Sequence, residues 1–459
     1  MEQITKPHCG ARLDRLPDCR WHSSMFAIVA FGLLVCWSNA VGGLILAQLK
    51  ALGWTDNSTT ATFSAITTAG MFLGALVGGI IGDKTGRRNA FILYEAIHIA
   101  SMVVGAFSPN MDFLIACRFV MGVGLGALLV TLFAGFTEYM PGRNRGTWSS
   151  RVSFIGNWSY PLCSLIAMGL TPLISAEWNW RVQLLIPAIL SLIATALAWR
   201  YFPESPRWLE SRGRYQEAEK VMRSIEEGVI RQTGKPLPPV VIADDGKAPQ
   251  AVPYSALLTG VLLKRVILGS CVLIAMNVVQ YTLINWLPTI FMTQGINLKD
   301  SIVLNTMSMF GAPFGIFIAM LVMDKIPRKT MGVGLLILIA VLGYIYSLQT
   351  SMLLITLIGF FLITFVYMYV CYASAVYVPE IWPTEAKLRG SGLANAVGLI
   401  SGIAAPYAVA VLLSSYGVTG VFILLGAVSI VVAIAIATIG IETKGVSVES
   451  LSIDAVANK

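Results

Sequence analysis

The sequence predicts an all-α membrane protein of twelve transmembrane helices in two six-helix, pseudo-symmetric lobes. Three observations carry that prediction. Twelve apolar runs approach the length of about 20 residues that a bilayer core requires. One polar stretch divides them six and six. Two charged motifs recur in both sets at nearly one offset.

The amino-terminal runs cover roughly 25–49, 60–82, 90–107, 112–137, 147–170 and 180–202, and the carboxy-terminal runs roughly 265–290, 301–323, 330–349, 351–377, 390–413 and 418–440. The chain then divides into an arm (1–24), a first lobe (25–202), a connector (203–264), a second lobe (265–441) and a tail (442–459). The first run follows an arm of mixed charge and lacks a small-residue cleavage site, so it reads as an uncleaved span. In the connector, the charges from Arg214 to Gln232 suit a soluble helix, and Gly234-Lys235-Pro236-Leu237-Pro238-Pro239 reads as a stiff linker.

Composition agrees. Apolar residues make up 56% of the 459 residues and charged residues 12%, where soluble proteins have about 45–50% and about 25%. The mean hydropathy is +0.74. A soluble globule, a collagen and a disordered chain are excluded. The net charge of +8 does not imply nucleic acid, because the basic residues are sorted. Of 32 Lys and Arg, only Lys50, Arg181 and Lys299 lie at loops after odd-numbered spans, and Arg118 and Arg151 lie inside spans. The remainder sit in the arm, the even loops, the connector and the tail. By the positive-inside rule both termini are cytoplasmic. The seven cysteines are odd in number and contain no C-x-x-C, which argues against a disulfide framework and a thiolate metal site.

Asp83-Lys84-Thr85-Gly86-Arg87-Arg88 after span 2 is matched by Asp324-Lys325-Ile326-Pro327-Arg328-Lys329 after span 8, 241 residues on. Glu138-Tyr139-Met140-Pro141 with Arg145 is matched by Glu380-Ile381-Trp382-Pro383 with Lys387, 242 residues on. Repeated halves imply alternating access around a site at their interface.

These residues resemble the major facilitator superfamily over almost the whole chain. Gly82-Asp83-Lys84-Thr85-Gly86-Arg87-Arg88 is similar to its signature between spans 2 and 3. Pro203-Glu204-Ser205-Pro206-Arg207-Trp208-Leu209, Trp180-Arg181 and Glu442-Thr443-Lys444-Gly445 resemble the sugar-porter branch, within it the inner-membrane metabolite transporters of enteric bacteria. The resemblance implies a monomeric transporter in the cell inner membrane. Sugar porters carry a proton-coupling Asp in span 1, where this chain reads Cys36-Trp37-Ser38-Asn39-Ala40. Their paired Gln of span 7 and sugar-stacking Trp of span 10 are also replaced, by Cys271-Val272 and Ala373-Ser374-Ala375.

The charged loops form a candidate cytosolic gate: Asp83, Arg87, Arg88, Glu138, Arg145, Glu204, Arg207, Asp324, Arg328, Glu380 and Lys387. Arg forks hold carboxylates bidentately, so such pairs are expected to clamp the halves together. Gly70, Gly74, Gly78 and Gly82 in span 2, and Gly390, Ala394, Gly398 and Gly402 in span 11, form small-residue faces. They suit either static packing or rocking across the lobe boundary.

Intramembrane charges are costly and usually functional. Arg118 and Arg151 have no evident acidic partner, so a substrate carboxylate is the expected one. Asn157, Asn277, Gln280, Tyr281, Tyr372 and Asn395 complete the candidate substrate contacts, with Ser38, Asn39, Asn305 and Ser374 as further polar positions. Asn277, Gln280 and Tyr281 share a helix face. Glu95 and His98, one turn apart, form a candidate proton site or a self-satisfied hydrogen-bonded pair.

The function expected is a secondary active or facilitative carrier of a small polar metabolite, a carboxylate-bearing one ahead of a sugar, with protons as a further partner and no cofactor or metal. A channel or substrate sensor of the same fold is the alternative. An ATP-driven pump is a poor fit: Gly234-Lys235 is followed by Pro236 where Ser or Thr must hold magnesium. No zinc motif or Ser nucleophile elbow supports a membrane enzyme.

Overall fold

The computed structural model describes residues 7–17, 19–36, 39–140, 145–240, 253–383 and 386–444. Among these, every regular element is a helix. Nine segments are long and apolar enough to cross a membrane, and one of them, Arg389–Ile439, is two spans that turn at Gly417. Spans 1 and 5 complete the twelve as pairs of shorter helices.

Span 1 comprises Arg20–Val35 and Gly42–Ala51; span 2 is Asn57–Thr85, span 3 Arg87–Ala106 and span 4 Met111–Tyr139. Span 5 comprises Arg145–Gly156 and Ser159–Leu170, and span 6 is Ala176–Tyr201. In the second lobe, span 7 is Gly260–Thr293, span 8 comprises Leu298–Met309 and Gly311–Val322, and span 9 is Arg328–Ser347. Span 10 runs as Met352–Val370, then as a π-helical stretch over Cys371–Tyr377, to Glu380. Spans 11 and 12 share Lys387–Ile439.

The sequence presents spans 1, 5 and 8 as continuous, and the structure breaks all three. Two breaks have a cause in proline. Pro161 and Pro313 cannot donate to the carbonyls four residues earlier, which releases the chain near Asn157 and Met309. The break in span 1 lies between Val35 and Gly42, where Gly43 packs against the backbone of span 7.

The glycine faces are seated inside each lobe. A Cβ at Gly70, Gly74 or Gly78 would fall 2.3, 2.1 or 2.6 Å from backbone atoms of Phe119, Val123 or Ala127 in span 4. Gly398 meets Leu273 and Asn277 of span 7, and Gly390 meets Trp382. These are close backbone approaches of the kind small residues permit. Gly402 also reaches span 2, at Thr68, and span 2 packs against the Lys387–Ile439 helix across the lobe boundary. Outward-facing Leu76, Ile80, Val104, Leu197, Val411 and Ile434 form part of a lipid-facing surface.

On the connector side a small polar cap forms. Helix Cys9–Asp14 of the arm docks on the connector helix Tyr215–Thr233 over an apolar core that includes Leu13, Trp208, Met222 and Val229. Arg12 grips Glu226 through two bonds of 2.7 and 3.0 Å and also pairs with Glu219, while Arg15 reaches Glu226 at 2.6 Å. Burial pushes the Glu226 carboxyl up, but hydrogen bonds and charge from Arg12 and Arg15 outweigh it and hold the group below its ordinary value. The hydrogen bond from Arg12 lowers Glu219 likewise. A depressed carboxyl stabilises the docked arm above its ordinary value of 4.5, and that contribution is lost as pH falls through the depressed value. Burial and the neighbouring Glu210 push the Cys9 thiol up to about 12, which makes it unreactive while the arm is docked. Glu226→Gln removes charge-assisted bonds worth about 1.5–3 kcal/mol each. In a variant that keeps Cys9 as its one cysteine it should accelerate maleimide labelling several-fold, as should acidification below the carboxylate range once rates are corrected for thiolate fraction. Unchanged labelling would mean that the apolar core alone holds the arm.

Candidate functional site

Span 1 at its break, span 5 at its break, spans 2 and 4, and spans 7 and 10 of the other lobe enclose a cavity of about 310 Å³. Its polar wall is Asn39, Ser153, Asn157, Ser159 and Tyr160 from the first lobe, with Gln280 and Tyr281 from the second. Leu33, Cys36, Met71, Leu125, Leu129 and Val370 supply the apolar wall. Broken helices at such a site expose backbone and side-chain polar groups that a continuous helix would use internally. Asn157 sits at the span 5 break and donates to the Ser153 carbonyl at 2.8 Å, leaving its amide oxygen for other partners.

The cavity is closed on the side away from the connector. There Asn57 donates to Ser414 across the lobes at 2.9 Å, and Asn305 to Ser164 at 3.1 Å. Gly43 lies so close to span 7 that an added Cβ would be 2.4 Å from the Ile284 carbonyl oxygen. Tyr160 packs edge-on against Tyr367, ring centres 5.3 Å apart, on the cavity's flank.

Of the expected substrate contacts, Asn157, Gln280 and Tyr281 line the cavity. Five do not. Arg118 is packed away between helices: its Nε donates to Thr67 Oγ1 at 3.2 Å, its Nη1 lies 3.3 Å from Met121 Sδ, and its guanidinium stands 4.6 Å over the Phe63 ring. A cation over a ring in a desolvated site gains about 2 kcal/mol, which offsets part of its burial cost. Arg151 is exposed and lies 5.1 Å from the Trp148 ring centre. Asn277 donates to the Leu273 carbonyl at 2.8 Å and packs on Gly398. Tyr372 is buried in the second lobe, stacked on Tyr377. Asn395 is exposed and donates to Ser391. Tyr160 was not among the expected contacts: a tyrosine in an apolar run reads as core.

Among the described residues, the ion pairs of the charged loops join groups of the same lobe. Arg87 pairs with Asp83 at 2.7 Å and with Glu138 at 2.9 Å. Arg328 pairs with Asp324 at 3.2 Å and holds Glu380 bidentately at 3.0 and 3.1 Å. Glu204 accepts the N–H groups of Arg87 and Arg88 at 2.7 and 3.3 Å, capping span 3. Glu442 does the same for span 9 through Arg328 and Lys329 at 2.8 and 3.1 Å. Carboxylates at helix N-termini are favourable through the dipole and the unpaired N–H groups. Gly86, at φ 97°, leaves room for Glu204, whose Oε2 would lie 2.3 Å from an added Cβ. Glu442 belongs with the sequence motif after span 12, and its repeat relation to Glu204 was the signal for it. Arg88 bonds the Trp199 carbonyl, and Arg207 pairs with Asp14 of the arm at 3.0 Å. Lys387 is exposed, and the side chain of Arg145 lies outside the described residues.

Residues 24–455 match the protein family described as "Sugar (and other) transporter". The chain is 44% identical to the inner membrane metabolite transport protein YdjE of Escherichia coli K12, over 98% of this chain and 99% of that one. It is 25% identical to the niacin transporter NiaP of Acinetobacter baylyi, over 96% and 99% of the respective chains. The solved xylose transporter XylE of E. coli, in a partially occluded inward open conformation, superposes with a TM-score of 0.74 at 18% identity, covering 94% of this chain and 100% of that one. That likeness carries the fold.

Proposed function

As the chain belongs to the sugar (and other) transporter family, within the major facilitator superfamily, and is a transporter rather than an enzyme, we propose that it carries a small uncharged polar metabolite across the bacterial inner membrane by alternating access, with the connector and both termini in the cytoplasm. The observation that carries the reading is the cavity wall. Both lobes contribute amides and phenols, and no described lining residue is charged. Such groups donate to and accept from hydroxyls and neutral heteroatoms, while a buried anion without a counter-charge is expensive. The paired loops of each lobe act as the cytoplasmic gate. Glu138 keeps one buried oxygen without a hydrogen-bond partner among the described residues, and exposed Lys387 is a cation available to it when that side closes.

A carboxylate substrate is the second reading. A relative named as a niacin transporter favours it, as does the position of Arg118 on the same face of span 4 as Met121 and Leu125.

Competition between matched neutral and acid compounds separates the two, with nicotinamide against nicotinate and glucose against glucuronate as probes on purified protein. The neutral member of a pair should stabilise the protein at about tenfold lower concentration, a difference of about 1.4 kcal/mol. Tyr281→Ala and Asn157→Ala should remove that stabilisation. Preference for the acid, lost in Arg118→Gln, would overturn the uncharged reading.

A further inference from the structure

The substrate cavity is sorted by helix. Spans 1, 2 and 4 of the first lobe give it Leu33, Cys36, Met71, Leu125 and Leu129. Apart from Asn39 at the span 1 break, every described polar side chain of the lining comes from span 5 or span 7. The buried pair Glu95 and His98, 3.5 Å apart in span 3, lies outside the lining. We infer that the substrate is a flat, uncharged aromatic ring with its polar substituents on one edge, and that Met71, Leu125 and Leu129 select it over polyhydroxylated compounds. The inference rests on the uncharged-carrier reading above and deepens it.

The apolar side is one continuous surface. Spans 2 and 4 are in backbone contact there: a Cβ at Gly126 would fall 2.1 Å from the Met71 carbonyl oxygen, which sets Met71 beside the turn that carries Leu125. Leu129 follows Leu125 by one turn on the same face of span 4. Gly156 of span 5 lets Leu33 close the edge of this surface, since a Cβ at that glycine would lie 2.4 Å from the Leu33 side chain.

The polar side is convergent and firmly held. The Tyr160 hydroxyl interacts with the Gln280 side chain and is near enough to Tyr281 for the two phenols to feel one another. Tyr160 rests edge-on against Tyr367, and the Tyr281 ring lies against Gly402 of span 11, where a Cβ would be 2.9 Å from a ring carbon. Phenols and amides both donate and accept, so these three side chains suit a carboxamide or a carbonyl beside an N–H. A polyol carries hydroxyls around its whole ring. Any pose turns some of them onto the leucines and Met71, where they lose water and gain no partner. A ring with one polar edge lays its faces on that wall, including the Met71 thioether, which favours aromatic contact. Its edge then meets the polar tips, so that a few polar groups fix orientation in a largely apolar seat.

Thermal stabilisation of the purified full chain by neutral probes tests this, with nicotinamide and benzamide against glucose and myo-inositol. The ring compounds should stabilise at concentrations about tenfold lower than the polyols. Leu129→Asn, which sets an amide in the apolar wall, should raise the nicotinamide concentration required several-fold and lower that of myo-inositol. Leu129→Met should keep the wild-type order. Met71→Gln, on a different helix, should act in the same direction as Leu129→Asn and serves in its place if that variant does not fold. Stabilisation by the polyols at equal or lower concentration would overturn the inference and leave the uncharged reading standing. Failure of both ring compounds to stabilise would overturn it too, and equal weakening of both probe classes in the variants would remove the selecting role of the wall. Preference for nicotinate over nicotinamide is a different result, which sinks the uncharged reading itself.

Discussion

Gly43→Val is expected to reduce transport by about two orders of magnitude while the protein still inserts and folds. Gly43 lies in the first turn of the second helix of span 1, and its Cβ position lies 2.4 Å from the Ile284 carbonyl oxygen and 2.9 Å from that of Asn285. Both belong to span 7, in the opposite lobe, so the clash is with backbone that cannot rotate aside. The residue is helical and has no positive φ, so Val is compatible with its own helix and improves helix propensity by about 0.3 kcal/mol. The penalty falls on the arrangement in which the side away from the connector is closed. A shift of about 2.7 kcal/mol against that arrangement reduces its population a hundredfold. Cys36 in the cavity wall reports the change. In a variant without the other six cysteines, impermeant maleimide should label Cys36 more slowly from the connector side and faster from the opposite side. Normal transport with unchanged sidedness would show that spans 1 and 7 separate freely there.

Much of this architecture was legible in the sequence because it is written in hydropathy and repetition. The twelve spans follow from runs of apolar residues, and the two lobes from the recurrence of Asp83 with Arg87 as Asp324 with Arg328. The partners of those arginines were less legible. The i, i+4 spacing of Asp83 and Arg87 already favours a pair on one helix face, yet Glu138 and Glu380 reach them only through tertiary packing. Arg118 illustrates the limit most plainly. An arginine inside a span reads as a substrate ligand, and nothing local in sequence reveals that Phe63 and Thr67 of span 2 receive it. Asn157 was visible as a polar residue in an apolar run, whereas Tyr160 was not, because phenols serve equally in cores and in cavities.

The repeated charge clusters are alike in composition and unequal in strength, which yields the second large expected effect. Arg328 is nearly buried, with 7% of its side chain exposed, and holds Glu380 through two parallel bonds in addition to Asp324 and the Met323 carbonyl. Thr443 donates to the same Glu380 at 2.6 Å, tying the tail to span 10. Arg87 meets Glu138 through one bond only, and the other Glu138 oxygen is left without a hydrogen-bond partner among the described residues. Removing one partner of a desolvated pair costs about 3–5 kcal/mol, largely because the other charge is stranded. Arg328→Ala should therefore destabilise the protein by about 3 kcal/mol and cut transport tenfold or more, with Arg87→Ala milder in stability. Neutralising the stranded carboxylate should reverse part of the loss: Arg328→Ala with Glu380→Gln should be more stable than Arg328→Ala alone, a non-additivity of about 1–2 kcal/mol in a double-mutant cycle. Thermal unfolding in detergent with counterflow in proteoliposomes measures both quantities. Additive losses would mean that the two residues act separately, and an Arg87→Ala penalty as large as that of Arg328→Ala would remove the asymmetry. If the asymmetry holds, the looser Glu138 side is the one able to exchange partners as the carrier turns, and the tighter Arg328–Glu380–Thr443 cluster is the fixed brace against which it moves.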